Sequence, residues 1–177
     1  MRIKSIVPAM AFVFAVAALA GYGIPASASD HRDGRSSCRS AIVGTYLLTI
    51  LDSDSEFASR SVMSFHNDGS FTATDSTQAL GVQDAGFTAL LGTYECTGRR
   101  SANALALNFG FSVPPDIGRT DWAITIDRWT RTIEGTVILS IFDDAETADP
   151  LVVVDEQDLE FIDTFTFDSV RVPARVD

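Results

Sequence analysis

Short stretches of alternating apolar and polar residues, separated by turn residues, follow residue 40, and this pattern allows few folds. Leu105, Leu107, Phe109 and Phe111 alternate strictly with other side chains, as Trp122 and its neighbours do. Strict alternation places successive side chains on opposite faces of a strand. Almost no stretch repeats with the period of a helix, so the sequence predicts an all-β protein.

About eight strands are expected at short, even spacing. Asn67-Asp68-Gly69 indicates a hairpin, because these residues tolerate the positive φ of tight turns. The predicted strands lie at 41–51, 60–66, 70–75, 86–97, 103–112, 121–129, 133–142 and within 159–172. Tight turns between sequential strands favour antiparallel pairing, and a closed up-and-down barrel or a sandwich would protect the strand edges.

We favour a single antiparallel up-and-down barrel over residues 41–177. The strands at 42–51 and 133–142 carry apolar residues on both faces. Two apolar faces fit a lined interior and an outer surface that packs against something, such as a second copy of the chain.

The first residues have the pattern of an export signal. Arg2 and Lys4 precede an apolar stretch over 6–23, and Ala26-Ser27-Ala28 matches a cleavage site. We therefore predict a signal peptide at 1–28, a flexible segment at 29–40, and a secreted or periplasmic location. Breaks such as Pro8, with no second apolar segment, argue against a retained membrane span.

The charged residues of the exported part exclude several chemistries and partners. Without residues 1–28, eleven basic and 24 acidic side chains remain, a formal charge of −13, and no lysine is left. A lysine Schiff base, a pyridoxal-phosphate anchor and a P-loop are therefore excluded. The negative charge argues against nucleic acid or anionic membrane as a partner. No cofactor is expected.

The same acidity raises the question of metal binding. The acidic segments 52–56 and 143–149 offer carboxylates of the kind that Ca²⁺ binds. Solvated loop charge is the simpler interpretation, so we predict no metal site.

The two cysteines, Cys38 and Cys96, are expected to form a disulfide. An even number of cysteines in an oxidising compartment favours pairing. The bond would tie the segment before the first strand to a strand in mid-chain.

Polar side chains set among aromatic residues are the best candidates for function. Burying such a group costs about 1–3 kcal/mol unless it has a partner. We select Tyr46, Phe109 and Trp122 as ligand-binding residues, and Tyr94, Glu95 and Glu134 as catalytic ones. Tyr94 and Glu95 are adjacent, so only one can face inward. A buried glutamate would have a raised pKa suited to proton transfer.

Two short motifs resemble those of lipocalin-like (calycin) barrels. Gly44-Thr45-Tyr46 resembles the Gly-x-Trp motif of the first strand, and Thr120-Asp121-Trp122 is similar to a Thr-Asp-Tyr motif. The resemblance implies that Arg171, on the last strand, packs across the aromatic ring of strand one. The strand pattern resembles small barrels of the allene oxide cyclase type about equally. We expect no helix after the last strand, and this departure from the lipocalin pattern favours the cyclase type.

These observations leave three function classes open. The first is a secreted protein that binds a small apolar or aromatic ligand inside the barrel. The second, which the cyclase-type resemblance implies, is a cofactor-free cyclase or isomerase using Tyr and Glu or Asp. The third is a structural or inhibitory secreted protein whose core is filled. The state of the interior distinguishes them.

Overall fold

A computed structural model of the chain describes residues 30–79, 86–111, 115–142, 150–151 and 161–173. One helix precedes eight strands, and a short 3₁₀ helix follows the third strand. The elements are α1 (Asp30–Ile42), β1 (Gly44–Leu51), β2 (Phe57–Phe65), β3 (Ser70–Asp75), the 3₁₀ helix (Ser76–Ala79), β4 (Leu90–Cys96), β5 (Ser101–Phe109), β6 (Ile117–Asp127), β7 (Thr132–Phe142) and β8 (Phe161–Arg171).

The eight strands form a closed antiparallel barrel in sequential order. Each strand pairs with the next, and β8 pairs with β1, where Tyr46 lies opposite Arg171. The Asn67-Asp68-Gly69 hairpin forms as predicted, with Gly69 at a φ of 93°. The predicted all-β, up-and-down barrel is therefore confirmed.

The two ends of the barrel differ in how their strands are connected. At one end, which we call the closed end, short turns join the strands at 66–69, 97–100 and 128–131. At the other, which we call the open end, the connections are 52–56, 76–89, 110–116 and 143–160. Only the closed end receives α1, which leads directly into β1.

Helix α1 replaces the irregular segment expected over 29–40. Cys38 and Ile42 are fully buried on it, and Cys38 is bonded to Cys96 on β4 with a Cα–Cα distance of 6.0 Å. The predicted disulfide is thus confirmed. The helix was missed because most of its residues are polar, so its stability comes from this covalent link and a few buried side chains rather than from an apolar stripe.

Large side chains fill the half of the barrel nearest the closed end. Phe65 is central: its ring lies edge-on to Tyr46 at 6.0 Å and to Tyr94 at 5.2 Å, and stacks on Phe71 at 5.5 Å. Ile126 and Ile133 are also almost fully buried. This half is a packed core.

Strand β5 contributes its small residues to the interior. Ala102, Ala104 and Ala106 are buried, whereas Phe109 is 53% exposed on the outer face. The alternation that predicted this strand was right, but the large residues face outward. Bulky residues from the other strands, such as Trp122 opposite Ala104, already occupy the interior.

The predicted signal segment at 1–28 lies outside the described residues. Within the part of the chain that the structure describes, no helix has both the length and the apolar character needed to cross a membrane.

Candidate ligand-binding cavity

The half of the barrel nearest the open end is hollow. It contains a cavity of about 600 Å³ that opens between the ends of the strands. On β6, the inward residues change from Ile126 and Ile124 in the packed half to Trp122, Thr120 and Gly118 along the cavity. The indole of Trp122 is therefore the deepest part of the cavity wall on this strand.

Apolar side chains make up most of the wall. Trp122 is fixed by two contacts: its Nε1 donates to Thr120 Oγ1 at 2.9 Å, and its ring lies 5.3 Å from Phe167. The other apolar lining residues are Ile50, Ala58, Phe87, Leu90, Phe111, Val137, Leu139, Ile141 and Phe165. Because Phe111 is 67% exposed, it lies at the rim, against Gly86.

A polar group is built into the wall where β2 and β3 meet. Asp75 Oδ2 accepts a hydrogen bond from Ser59 Oγ at 2.8 Å. Its Oδ1 accepts from Thr77 Oγ1 at 2.7 Å and from the Thr77 backbone N at 2.9 Å. Gln78, on the same 3₁₀ helix, donates to the carbonyl of Thr88 at 2.7 Å. The short helix thus holds the carboxylate in one orientation.

A second polar side chain, Asn108, lines the cavity from β5. It is 6% exposed, and among the described residues no hydrogen bond joins its amide to another group. Gly118 lies opposite it on β6, where a Cβ atom would come within 2.0 Å of Asn108 Oδ1. The glycine therefore makes room for the amide.

The two candidate tyrosines lie in the packed half, not on the cavity. Tyr46 donates its hydroxyl to the carbonyl of Ile42 at 2.9 Å, and Tyr94 donates to the carbonyl of His66 at 2.7 Å. Burial raises the pKa of both phenols above their usual value, although Arg171 near Tyr46 and Arg39 near Tyr94 act in the opposite direction. Both tyrosines stabilise the closed end of the barrel.

Three other residues selected from the sequence lie on the outer face of the barrel. Glu95 and Glu134 are exposed on the outer face, so neither forms an acid–base pair with Tyr94 inside the barrel. Phe109 is also on the outside. Of the six residues selected from the sequence, only Trp122 lines the cavity.

Sequence reasoning missed Asp75, Ser59 and Asn108. For Asn108 a signal was nevertheless present, because it alternates with outward residues on β5, whose other inward residues are alanines. Asn108 continues the buried series of Ala104 and Ala106 on β5. Once the face of β5 that carries the small residues is assigned to the interior, the polar residue on that face becomes a candidate for the cavity wall.

Arg171 has the position that the lipocalin resemblance implies. Its guanidinium carbon lies 5.8 Å from the centre of the Tyr46 ring, and its Nη2 donates to the carbonyl of Val43 at 2.6 Å. Gly44 leaves space for it, since a Cβ there would lie 2.7 Å from Arg171 Nη2. This contact adds to the backbone pairing that closes the barrel between β1 and β8.

Comparison with protein-family models, with curated proteins and with solved structures finds no match for this chain. The barrel and its cavity therefore carry the functional argument. Within the described ranges, no group of three or more His, Cys, Asp or Glu side chains is placed to hold a metal ion.

Proposed function

We propose that this chain is an exported binding protein that holds a small apolar or aromatic molecule in the cavity. The observation that supports this most strongly is the division of one barrel into a packed half and a hollow half. Binding sites for small molecules have volumes of about 300–1,000 Å³ and are mostly apolar, with a few placed polar groups. The cavity of about 600 Å³ has these properties.

The rigid half of the barrel supports the same proposal. The disulfide, Arg171 and the aromatic cluster around Phe65 hold the closed end together. A preorganised wall lowers the entropy that a ligand loses on binding. The disulfide is compatible with the oxidising compartment to which a signal peptide would direct the chain.

The cavity counts against a structural protein with a filled core. A cyclase or isomerase would need an acid or base that faces the cavity, and Tyr94, Glu95 and Glu134 do not. Asp75 and Asp116 do line it, but the three hydrogen bonds of Asp75 account for its position without a catalytic role. We therefore favour binding over catalysis.

The two tryptophans allow a direct test. Trp122 lines the cavity, whereas Trp129 lies in a closed-end turn and is 88% exposed. The substitution Trp129→Phe leaves Trp122 as the only tryptophan. We expect the neutral probe N-phenyl-1-naphthylamine to quench its fluorescence saturably, with one molecule bound per chain.

Two neighbouring substitutions provide the control. Leu139 lines the cavity, and Ile138 lies on the outer face of the same strand. In the Trp129→Phe background, Leu139→Phe should weaken probe binding at least tenfold by filling the cavity, whereas Ile138→Phe should leave it unchanged. Equal effects of the two, or no saturable quenching at all, would contradict the proposal. Native mass spectrometry of protein from its own host should also reveal a bound small molecule.

A further inference from the structure

We propose that the ligand of this cavity is a cation, an amine carried on an apolar or aromatic body. This inference rests on the proposed binding function and narrows the class of ligand. It joins two observations, the polar groups inside the cavity and the distribution of charge over the whole barrel.

The charged groups of the described cavity wall are all acidic. Asp75 and Asp116 line it, and no lysine, arginine or histidine does. An anionic ligand would enter a low-dielectric space against two carboxylates, whereas a cation would be attracted to them.

Asp75 retains an acceptor site. Its Oδ1 already accepts two hydrogen bonds, from the hydroxyl and backbone N of Thr77, whereas its Oδ2 accepts one, from Ser59. A carboxylate oxygen can accept about two hydrogen bonds. Oδ2 therefore has one site left for an N–H donor from the ligand.

Asn108 supplies a second, independent indication of a polar ligand group. Its amide is 6% exposed, lines the cavity and has no hydrogen-bond partner among the described residues. No fully buried side-chain N or O atom of the described residues lacks a partner, so the amide of Asn108 keeps accessible surface toward the cavity. Its Oδ1, which lies over Gly118, is an acceptor suited to the N–H of an amine.

The apolar part of the wall also suits a cation attached to an aromatic body. Trp122, Phe87, Phe111 and Phe165 all line the cavity. Aromatic faces attract ammonium groups, and the attraction is stronger where water is excluded.

The connections at the two ends of the barrel differ in charge. The described residues of the open-end connections include four acidic side chains and no lysine, arginine or histidine: Asp52, Asp54, Glu56 and Asp116. The three closed-end turns contain four arginines and one aspartate: Arg99, Arg100, Arg128, Arg131 and Asp68. The carboxylates of the open-end connections attract a cation toward the cavity and repel an anion.

Three ligands of nearly the same shape separate the inference from the proposed function. They are 2-naphthylmethylamine, 2-naphthylmethanol and 2-naphthoate, which are cationic, neutral and anionic at pH 7. In calorimetry at low salt we expect the amine to bind at least about tenfold more tightly than the alcohol, and 2-naphthoate to bind more weakly than either.

Matched substitutions locate the effect. Asp75→Asn should weaken amine binding about tenfold while changing alcohol binding less than about twofold. Glu134→Gln removes the same charge from the outer face and should change neither affinity. If Asp75→Asn does not fold, the salt dependence of the native protein gives the answer: the association rate of the amine should fall with salt, and that of the alcohol should not.

The outcomes are distinct. Equal affinities for the amine and the alcohol would overturn this inference and leave the binding function intact. The inference would also fall if the amine's association rate were independent of salt. If neither these ligands nor N-phenyl-1-naphthylamine bound, both proposals would fall together.

Discussion

The tyrosines show how single residues define the closed end. Tyr46 and Tyr94 follow the same Gly-Thr dipeptide in the sequence, and both rings lie edge-on to Phe65. Each hydroxyl reaches a backbone carbonyl outside the strands, on Ile42 or His66. The repeated Gly-Thr-Tyr sequence therefore marks two equivalent positions of the barrel, and its role is structural.

The burial of Tyr46 predicts a loss of stability in alkali. Its pKa in the folded protein is raised above the reference value of 10.0, first by burial. Above pH 10 the unfolded chain therefore loses the phenol proton while the folded protein keeps it, so the free energy of unfolding falls as the pH rises. Below pH 10 this group adds no pH dependence.

The substitution Tyr46→Phe isolates that contribution. At pH 7 it should lower the free energy of unfolding by about 1–2 kcal/mol, because the carbonyl of Ile42 loses its donor. The difference from the native protein should then shrink as the pH rises above 10, since phenylalanine does not ionise. Urea unfolding at several pH values measures it, and a difference that stayed constant would contradict the explanation.

At the scale of elements, strand β5 shows what the sequence could and could not predict. Alternation and turn residues located the eight strands to within a few positions, because these signals act within one strand. Which face of β5 points inward depends on the volume left by its neighbours, and Trp122 on β6 occupies the space opposite Ala104. That information is not local, so Phe109 was placed inside although it lies outside.

The orientation of β5, whose small residues face inward, predicts unequal effects of substitutions at neighbouring positions on this strand. Ala106 is fully buried and lies beside Gly92, where even a Cβ atom would be 2.8 Å from the Ala106 Cα. Ala106→Leu should therefore lower the free energy of unfolding by about 1–3 kcal/mol through overpacking. Leu107→Ala, on the outer face, should cost less than about 1 kcal/mol. Urea unfolding distinguishes them, and a larger loss for Leu107→Ala would show that the strand is oriented the other way.

Helix α1 predicts a stability effect that leaves the cavity unchanged. The Cys38–Cys96 bond spans 58 residues in sequence. In the chain-entropy treatment, losing such a link lowers the free energy of unfolding by about 3–4 kcal/mol. The double substitution Cys38→Ser and Cys96→Ser should show this loss in urea unfolding, and reducing the native disulfide should give a similar value. Probe binding to the folded variant should persist, because the helix lies at the closed end; loss of binding would contradict that separation.

At the scale of the whole molecule, the barrel separates stability from binding. The closed end contains the helix, the disulfide and the aromatic cluster, and its turns are rich in arginine. The open end contains the cavity, and the charged residues of its described connections are all acidic. The strand order could be predicted from the sequence, and so could the acidity; the cavity could not, because it is the volume that side chains from eight strands leave unfilled.

This charge separation predicts that one type of substitution has opposite effects at the two ends. Asp54 lies in an open-end connection among other acids, whereas Asp127 lies beside a closed-end turn, where backbone N–H groups of Trp129 and Thr130 and the charge of Arg100 lower its pKa. Asp54→Asn should raise the thermal unfolding midpoint at low salt by relieving repulsion, and Asp127→Asn should lower it. Both shifts should diminish between about 10 mM and about 500 mM sodium chloride, because salt screens exposed charges. Shifts of the same sign would mean that the net charge, rather than its distribution, sets the electrostatic contribution to the unfolding midpoint. The electric field proposed to attract cations to the cavity would then lose its support.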